Sequence, residues 1–115
     1  KLICTNPDLI VHRGSIEELC AGSVAKVFED LGGEVIYFGK PHKEIYNMCF
    51  GSNEKVLAIG DNLRTDIKGA NNLKIDCIFI TEGVHRKELN NFSELNKLLK
   101  KYSVNANFFQ KELKW

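Results

Sequence analysis

Short apolar runs alternate with helical patterns along almost the whole chain, and that rhythm limits the fold more than any other feature. "LICT" precedes "AGSVAKVFEDLGG", "EVIYFG" precedes "PHKEIYNMCFG", "KVLAIG" precedes "NLRTDIKGANNL", and "KIDCIFI" precedes "FSELNKLLKKY". β-Branched and aromatic residues gather in the runs, and the segments between them carry the 3.6-residue apolar period. The pattern predicts an α/β fold in which a parallel sheet is flanked by helices. With 115 residues, the chain is in the range of one small domain with one core.

The punctuation agrees with this reading. Gly32 and Gly33 are placed to close one helix, and Gly51 to close the next. Pro41 is expected in the first turn of a helix, where its missing N–H costs nothing, and it favours an extended Lys40. Lys97, Lys100 and Lys101 interleave with Leu95, Leu98 and Leu99, the pattern of an amphipathic helix with a solvated lysine face. In the tail "YSVNANFFQKELKW", Phe108, Phe109 and Trp115 are expected to cover a sheet edge or a helix end.

Lys plus Arg is 16 and Asp plus Glu is 15, so no overall field recruits nucleic acid or an anionic membrane. The apolar runs fall far short of the roughly 20 residues of a transmembrane helix, and "KLICTNPD" has no signal-peptide pattern. The expectation is a soluble, cytoplasmic chain. Cys4, Cys20, Cys49 and Cys77 show no C-x-x-C spacing and lie beside apolar residues, which reads as buried reduced thiols. A start at Lys1 instead of a methionine admits a fragment.

In "VLAIGDNLRTDIKGA" an apolar run ends at Gly60–Asp61, and Asp66 follows. Ligands of open α/β sheets bind beyond the carboxyl ends of the strands, where Asp61 falls. Asn62 is a reasonable N-cap, and Asp66 lies in the first turn of the next helix. Dipole compensation, worth roughly 0.3–1 kcal/mol, accounts for Asp66 but less well for Asp61, which faces desolvation unless a cation sits opposite. Magnesium, a hard ion held by one or two carboxylates plus phosphate, is the alternative. Upstream, "EVIYFGKPHKEIY" ends a second strand at Gly39 and places Lys40 at the same sheet edge, where it can neutralise phosphate or a neighbouring carboxylate.

"FGKP" and "AIGDNLRTDI" together resemble motifs three and four of the haloacid dehalogenase-like (HAD) phosphatases. The nearest likeness is to the class IIA branch, which carries a large cap inserted between motifs two and three and includes 4-nitrophenyl phosphatase-like and phosphoglycolate phosphatase-like enzymes. "ICTNPDLIV" resembles a segment near the end of that cap, and "IDCIFITEGVHRKEL" the strand and loop after motif four. The resemblance covers roughly residues 2–90. It implies a Rossmann-like core, with residues 1–33 as the end of the cap and 34–115 as the second half of the core.

The family's reaction runs through an aspartyl-phosphate with Mg²⁺ as cofactor. The resemblance makes Asp61 a metal ligand and Asp66 a support of the metal's shell. Lys40 becomes the charge that holds the nucleophile and the phosphoryl group, and Asn62 a supporting residue. Asp8, His12 and Arg13, after "TNPD", become candidates for contact with the leaving group of a small phosphorylated metabolite. On their own residues, "NPD" reads as a turn and "HRG" as a solvated loop.

The family also needs D-x-D-x-[TV] on its first core strand. Asp8, Asp30, Asp61, Asp66 and Asp76 are the only aspartates, and none has another two positions on. The chain therefore resembles the carboxy-terminal portion of a phosphatase, inactive alone and completed by an amino-terminal half. The alternative is a non-catalytic remnant or interaction module on the same scaffold.

Overall fold

The computed structural model describes residues 1–51, 54–89 and 91–114. Strand β1 (Leu2–Cys4) pairs in parallel with β4 (Val35–Tyr37), Leu2 opposite Val35 and Cys4 opposite Tyr37. Helix α1 (Ala21–Asp30) packs against both and completes a β–α–β unit. Its N-terminal turn lies so close to the "NPD" turn that a Cβ on Gly22 would fall 2.3 Å from the Pro7 carbonyl oxygen. At its other end Gly32 takes φ +87° and the Gly33 N–H donates to the Phe28 carbonyl at 2.9 Å, the closure expected of these two glycines.

Between β1 and α1 the chain forms an antiparallel hairpin, β2 (Ile10–Arg13) and β3 (Ile16–Leu19), with His12 opposite Glu17. The sequence reading takes "HRG" as a solvated loop; His12 and Arg13 are instead strand residues. The turn is Gly14–Ser15, and Gly14 at φ +62° supplies the positive dihedral that a two-residue hairpin needs. Because β4 pairs with β1, the first β–α–β unit runs from Leu2 to Tyr37.

Helix α2 (Lys43–Tyr46) is followed by β5 (Leu57–Gly60), then by a π-helical turn, Leu63–Ile67, that continues as α3 (Lys68–Leu73). Next come β6 (Asp76–Ile80), a 3₁₀ turn (Phe92–Glu94) leading into α4 (Leu95–Tyr102), and β7 (Phe108–Gln110). The three strands form a parallel sheet in the order β5-β6-β7, with Ile59 opposite Ile78 and Phe79 opposite Phe109. The parallel pairing and flanking helices are the α/β fold that the rhythm predicts.

The core fills the space between this sheet and α3 and α4: Leu63, Ile67, Ala70, Cys77, Phe79, Leu95, Leu98, Leu99 and Val104. Lys97, Lys100 and Lys101 are exposed, as the helical period requires. Two asparagines fasten the link from α4 to β7. The Asn71 side chain exchanges hydrogen bonds with the Asn105 backbone, and Asn107 Oδ1 accepts the Cys77 N–H at 3.0 Å.

Several expectations are corrected. His42 is the extended N-cap of α2, so Pro41 lies before the helix, in a turn that the His42 N–H closes onto the Gly39 carbonyl at 2.8 Å, with a cis Lys40–Pro41 peptide. Gly51 closes no helix, because α2 ends at Tyr46 and runs out through turns to Cys49. All four cysteines are free, but only Cys4 and Cys77 are buried; Cys49 is exposed because it falls past the end of that short helix. The tail adds a strand to the sheet, Phe108 and Phe109 stay largely exposed on it, and Trp115 lies outside the described residues.

Candidate active site

Strand β5 delivers Asp61 to the carboxyl edge of its sheet, and glycines make room for the carboxylates on both sides. A Cβ on Gly60 would lie 2.4 Å from Asp66 Oδ2, and one on Gly83 would lie 2.0 Å from Asp61 Oδ2. Asp61 Oδ2 accepts the Val84 N–H at 2.9 Å. One turn later, Asp66 folds back over the loop: Oδ2 accepts the Asn62 N–H at 3.1 Å and Oδ1 lies 2.5 Å from Lys40 Nζ. Burial alone would lower the Lys40 pKa, but the hydrogen bond and charge of Asp66, with Asp8 adding, raise it above the ordinary lysine value.

Asn62 caps the turn as expected, its Oδ1 accepting the Arg64 N–H at 3.0 Å. Its amide donates to Asp8 Oδ1 at 2.8 Å, and Thr65 Oγ1 donates to the same oxygen at 2.7 Å. Asp8 therefore ties the first unit to the second. Lys40, Asp61, Asn62, Asp66, Asp8 and His12 all line one cleft of about 360 Å³.

Of the three residues named for substrate contact, two reach this cleft. The His12 side chain is 8% exposed, and its ring nitrogens make no hydrogen bond among the described residues, although Nε2 stands 3.4 Å from Glu17 Oε2. Arg13, the next residue on β2, points the other way: its side chain is 76% exposed and pairs with Glu18 at 3.1 Å. The period of two in a strand puts neighbours on opposite faces, which a reading of "HRG" as a loop misses.

The sequence reading also missed the loop after β6, where Gly83, Val84 and Arg86 line the cleft. The available signal was a third strand ending near a glycine, "IFITEG", as the others end at Gly39 and Gly60.

Asp61 offers hard oxygen donors suited to magnesium. Both oxygens of Asp66 are engaged, which fits support of a metal's surroundings better than direct ligation. Among the described residues no three His, Cys, Asp or Glu side chains group closely enough to hold a metal ion by themselves. A full coordination shell needs donors from outside this chain, water or substrate included.

A family model described as HAD-hydrolase-like matches residues 37–102. The chain is 31% identical over 88 residues to the ribonucleotide monophosphatase NagD of Escherichia coli (strain K12), covering 73% of this chain and 34% of that protein. Among solved structures, a haloacid dehalogenase-like hydrolase from Brucella suis 1330 matches with a TM-score of 0.75 and 31% identity, over 97% of this chain and 44% of its own. A possible sugar phosphatase of the HAD superfamily from Cytophaga hutchinsonii ATCC 33406 shares the fold at TM-score 0.73 and 22% identity, over 98% of this chain and 42% of its own. The chain thus spans 34% of its curated relative and less than half of these structures.

Proposed function

Because this chain belongs to the haloacid dehalogenase-like (HAD) superfamily, in its class IIA phosphatase branch, we propose that it forms the carboxy-terminal part of a magnesium-dependent phosphomonoester hydrolase. The reaction would pass through an aspartyl-phosphate on a residue outside this chain, and the substrate would be a small phosphorylated metabolite. The observation that carries the reading is the meeting of Lys40, Asp66 and Asp61 in one cleft, although Lys40 follows β4 of the β1-β4 sheet and not, as expected, the edge of the sheet that carries Asp61. These residues come from two separate strand ends, and dipole compensation gives no reason for them to converge.

In this reading Asp61 holds the metal, which supplies charge neutralisation for the transferring phosphoryl group. Asp66 orients Lys40 and fixes the Asn62 N–H, so that the ammonium faces the cleft at a set position. Lys40 then offers a second cation to the phosphoryl oxygens and to the incoming nucleophile. Asp8 serves as a tether, while His12, which lines the cleft and whose ring nitrogens make no hydrogen bond among the described residues, is the residue of the hairpin best placed to meet a leaving group. The pairing of β4 with β1 supports carrying the cap portion through Tyr37 and starting the core at Gly39.

The chain has no D-x-D pair, so alone it supplies no nucleophile with its acid/base partner, and residues that act as one unit fail together. The test is to supply an amino-terminal half bearing D-x-D-x-T and assay 4-nitrophenyl phosphate with Mg²⁺. Hydrolysis is expected from the pair and not from the chain alone, and it should fall to background in Asp61→Asn. Full activity in that variant would remove Asp61 from its role. Hydrolysis by the 115-residue chain alone, abolished by Lys40→Ala, would show that no completing half is needed.

A further inference from the structure

The loop that presents Asp61 is held from behind by a residue assigned to no motif. The Val84 N–H donates to Asp61 Oδ2 at 2.9 Å, and in the opposite sense the Leu63 N–H donates to His85 Nε2 at 3.1 Å. Gly83–Val84–His85 and Asp61–Asn62–Leu63 therefore clasp each other. Helix N-termini leave N–H groups without backbone partners. At this turn Asp66 takes that of Asn62, Asn62 takes that of Arg64, and His85 takes that of Leu63.

The imidazole is 3% exposed and packs edge-on against Tyr102 at a centroid separation of 4.7 Å. Because Nε2 accepts, the ring proton belongs on Nδ1, which meets Glu88 Oε1 at 2.6 Å. Glu88 in turn receives the Tyr102 hydroxyl at 2.8 Å and Lys101 Nζ at 2.5 Å. The charged and titratable groups around the ring are thus Glu88 on its own loop, Tyr102 and Lys101 on α4, and Arg64, whose guanidinium lies 5.2 Å from the Tyr102 ring centroid. Asp8 lines the same small cavity, about 230 Å³, as His85.

We infer that His85 is a positioning residue for the metal site: as an acceptor it fixes the Leu63 N–H and so holds the Asp61 carboxylate in place. The inference rests on the reading of Asp61 as a magnesium ligand. It separates His85 from ordinary core residues, because an apolar side chain in its place offers no acceptor to the Leu63 N–H. The packing would survive that replacement; the clasp would not.

The experiment uses the 115-residue chain at pH 7.5, with amide exchange and ring ¹⁵N shifts read by NMR and Mg²⁺ added by titration. The Leu63 amide should be protected and His85 should carry its proton on Nδ1. His85→Gln, which keeps an acceptor near the Nε2 position, should keep the Leu63 protection and bind Mg²⁺ within about twofold of wild type. His85→Leu, checked for an unchanged fold by its amide spectrum, should lose that protection and bind Mg²⁺ about tenfold more weakly. Wild-type affinity in His85→Leu, no rescue in His85→Gln, or an unprotected Leu63 amide in the wild type would each overturn the inference. A protected Leu63 in a chain that binds no Mg²⁺ would instead overturn the metal reading, and the inference with it.

Discussion

Lys40 Nζ sits 2.5 Å from Asp66 Oδ1, joining the loop after β4 to the π-helical turn after β5 across 26 positions of the chain. The pair orients the ammonium toward the cleft, and it also stabilises the fold in a way that depends on pH. The folded-state pKa of Lys40 is raised, since the hydrogen bond and charge of Asp66 outweigh the burial that opposes them. Its contribution is therefore complete below the unfolded lysine value of about 10.4 and is lost as pH rises through the higher folded value. Melting curves from pH 8 to 11.5 should show wild type converging on Lys40→Met at the alkaline end. With 46% of the lysine side chain exposed, the difference at pH 8 should be about 1 kcal/mol or less.

Glu88 should behave in the opposite sense. Burial would push its carboxyl up, but hydrogen bonds from Lys101, His85 and Tyr102 hold it down at about 2. The resulting stability is present above the unfolded value of about 4.3 and disappears as pH falls toward 2. Glu88→Gln should cost about 1–2 kcal/mol at pH 7, a figure reduced for the 31% exposure of the carboxylate, and almost nothing at pH 2. Denaturant titrations at the two pH values check this.

Gly60→Ala and Gly83→Ala should each damage the site more than the fold. The added methyl would meet Asp66 or Asp61 at 2.4 Å or less, so a carboxylate must move. Each variant should lose about 1–3 kcal/mol. In the completed enzyme, each should also lower turnover of 4-nitrophenyl phosphate at least tenfold while the far-UV spectrum is unchanged.

Phe79→Ala tests where the core lies. Phe79, on β6, is fully buried in the core, and its removal should cost about 3–5 kcal/mol, a large part of the total stability of a domain this size. Phe108→Ala, on the exposed side of β7, should change the thermal midpoint far less.

Much of the fold could be read locally. The helix ending at Gly32–Gly33, the strand ending at Gly60, the Asn62 cap and the lysine face of α4 each follow from a period or a dihedral requirement set within a few residues. The errors arose where neighbours in space decide. The local preference of Pro41 predicts a place in the first helical turn, but the turn closing onto Gly39 delays that helix to Lys43. The local sequence of His12 and Arg13 reads as a loop, whereas strand pairing sends one into the cleft and the other out to Glu18.

The order of apolar runs and helical segments, with glycines at their ends, was enough to determine the α/β class and to put Lys40 and Asp61 just past strand ends and Asp66 in the helical turn that follows, because backbone preference and hydrophobic period act over short distances. Only the tertiary structure decided which of those ends meet. It paired β4 with β1, turned Asp8 into a tether to Asn62 and Thr65, occupied both oxygens of Asp66, and placed His85 behind the Asp61 loop. Those outcomes depend on hydrogen bonds closed across more than 20 residues, whose partners are chosen by packing and not by local sequence.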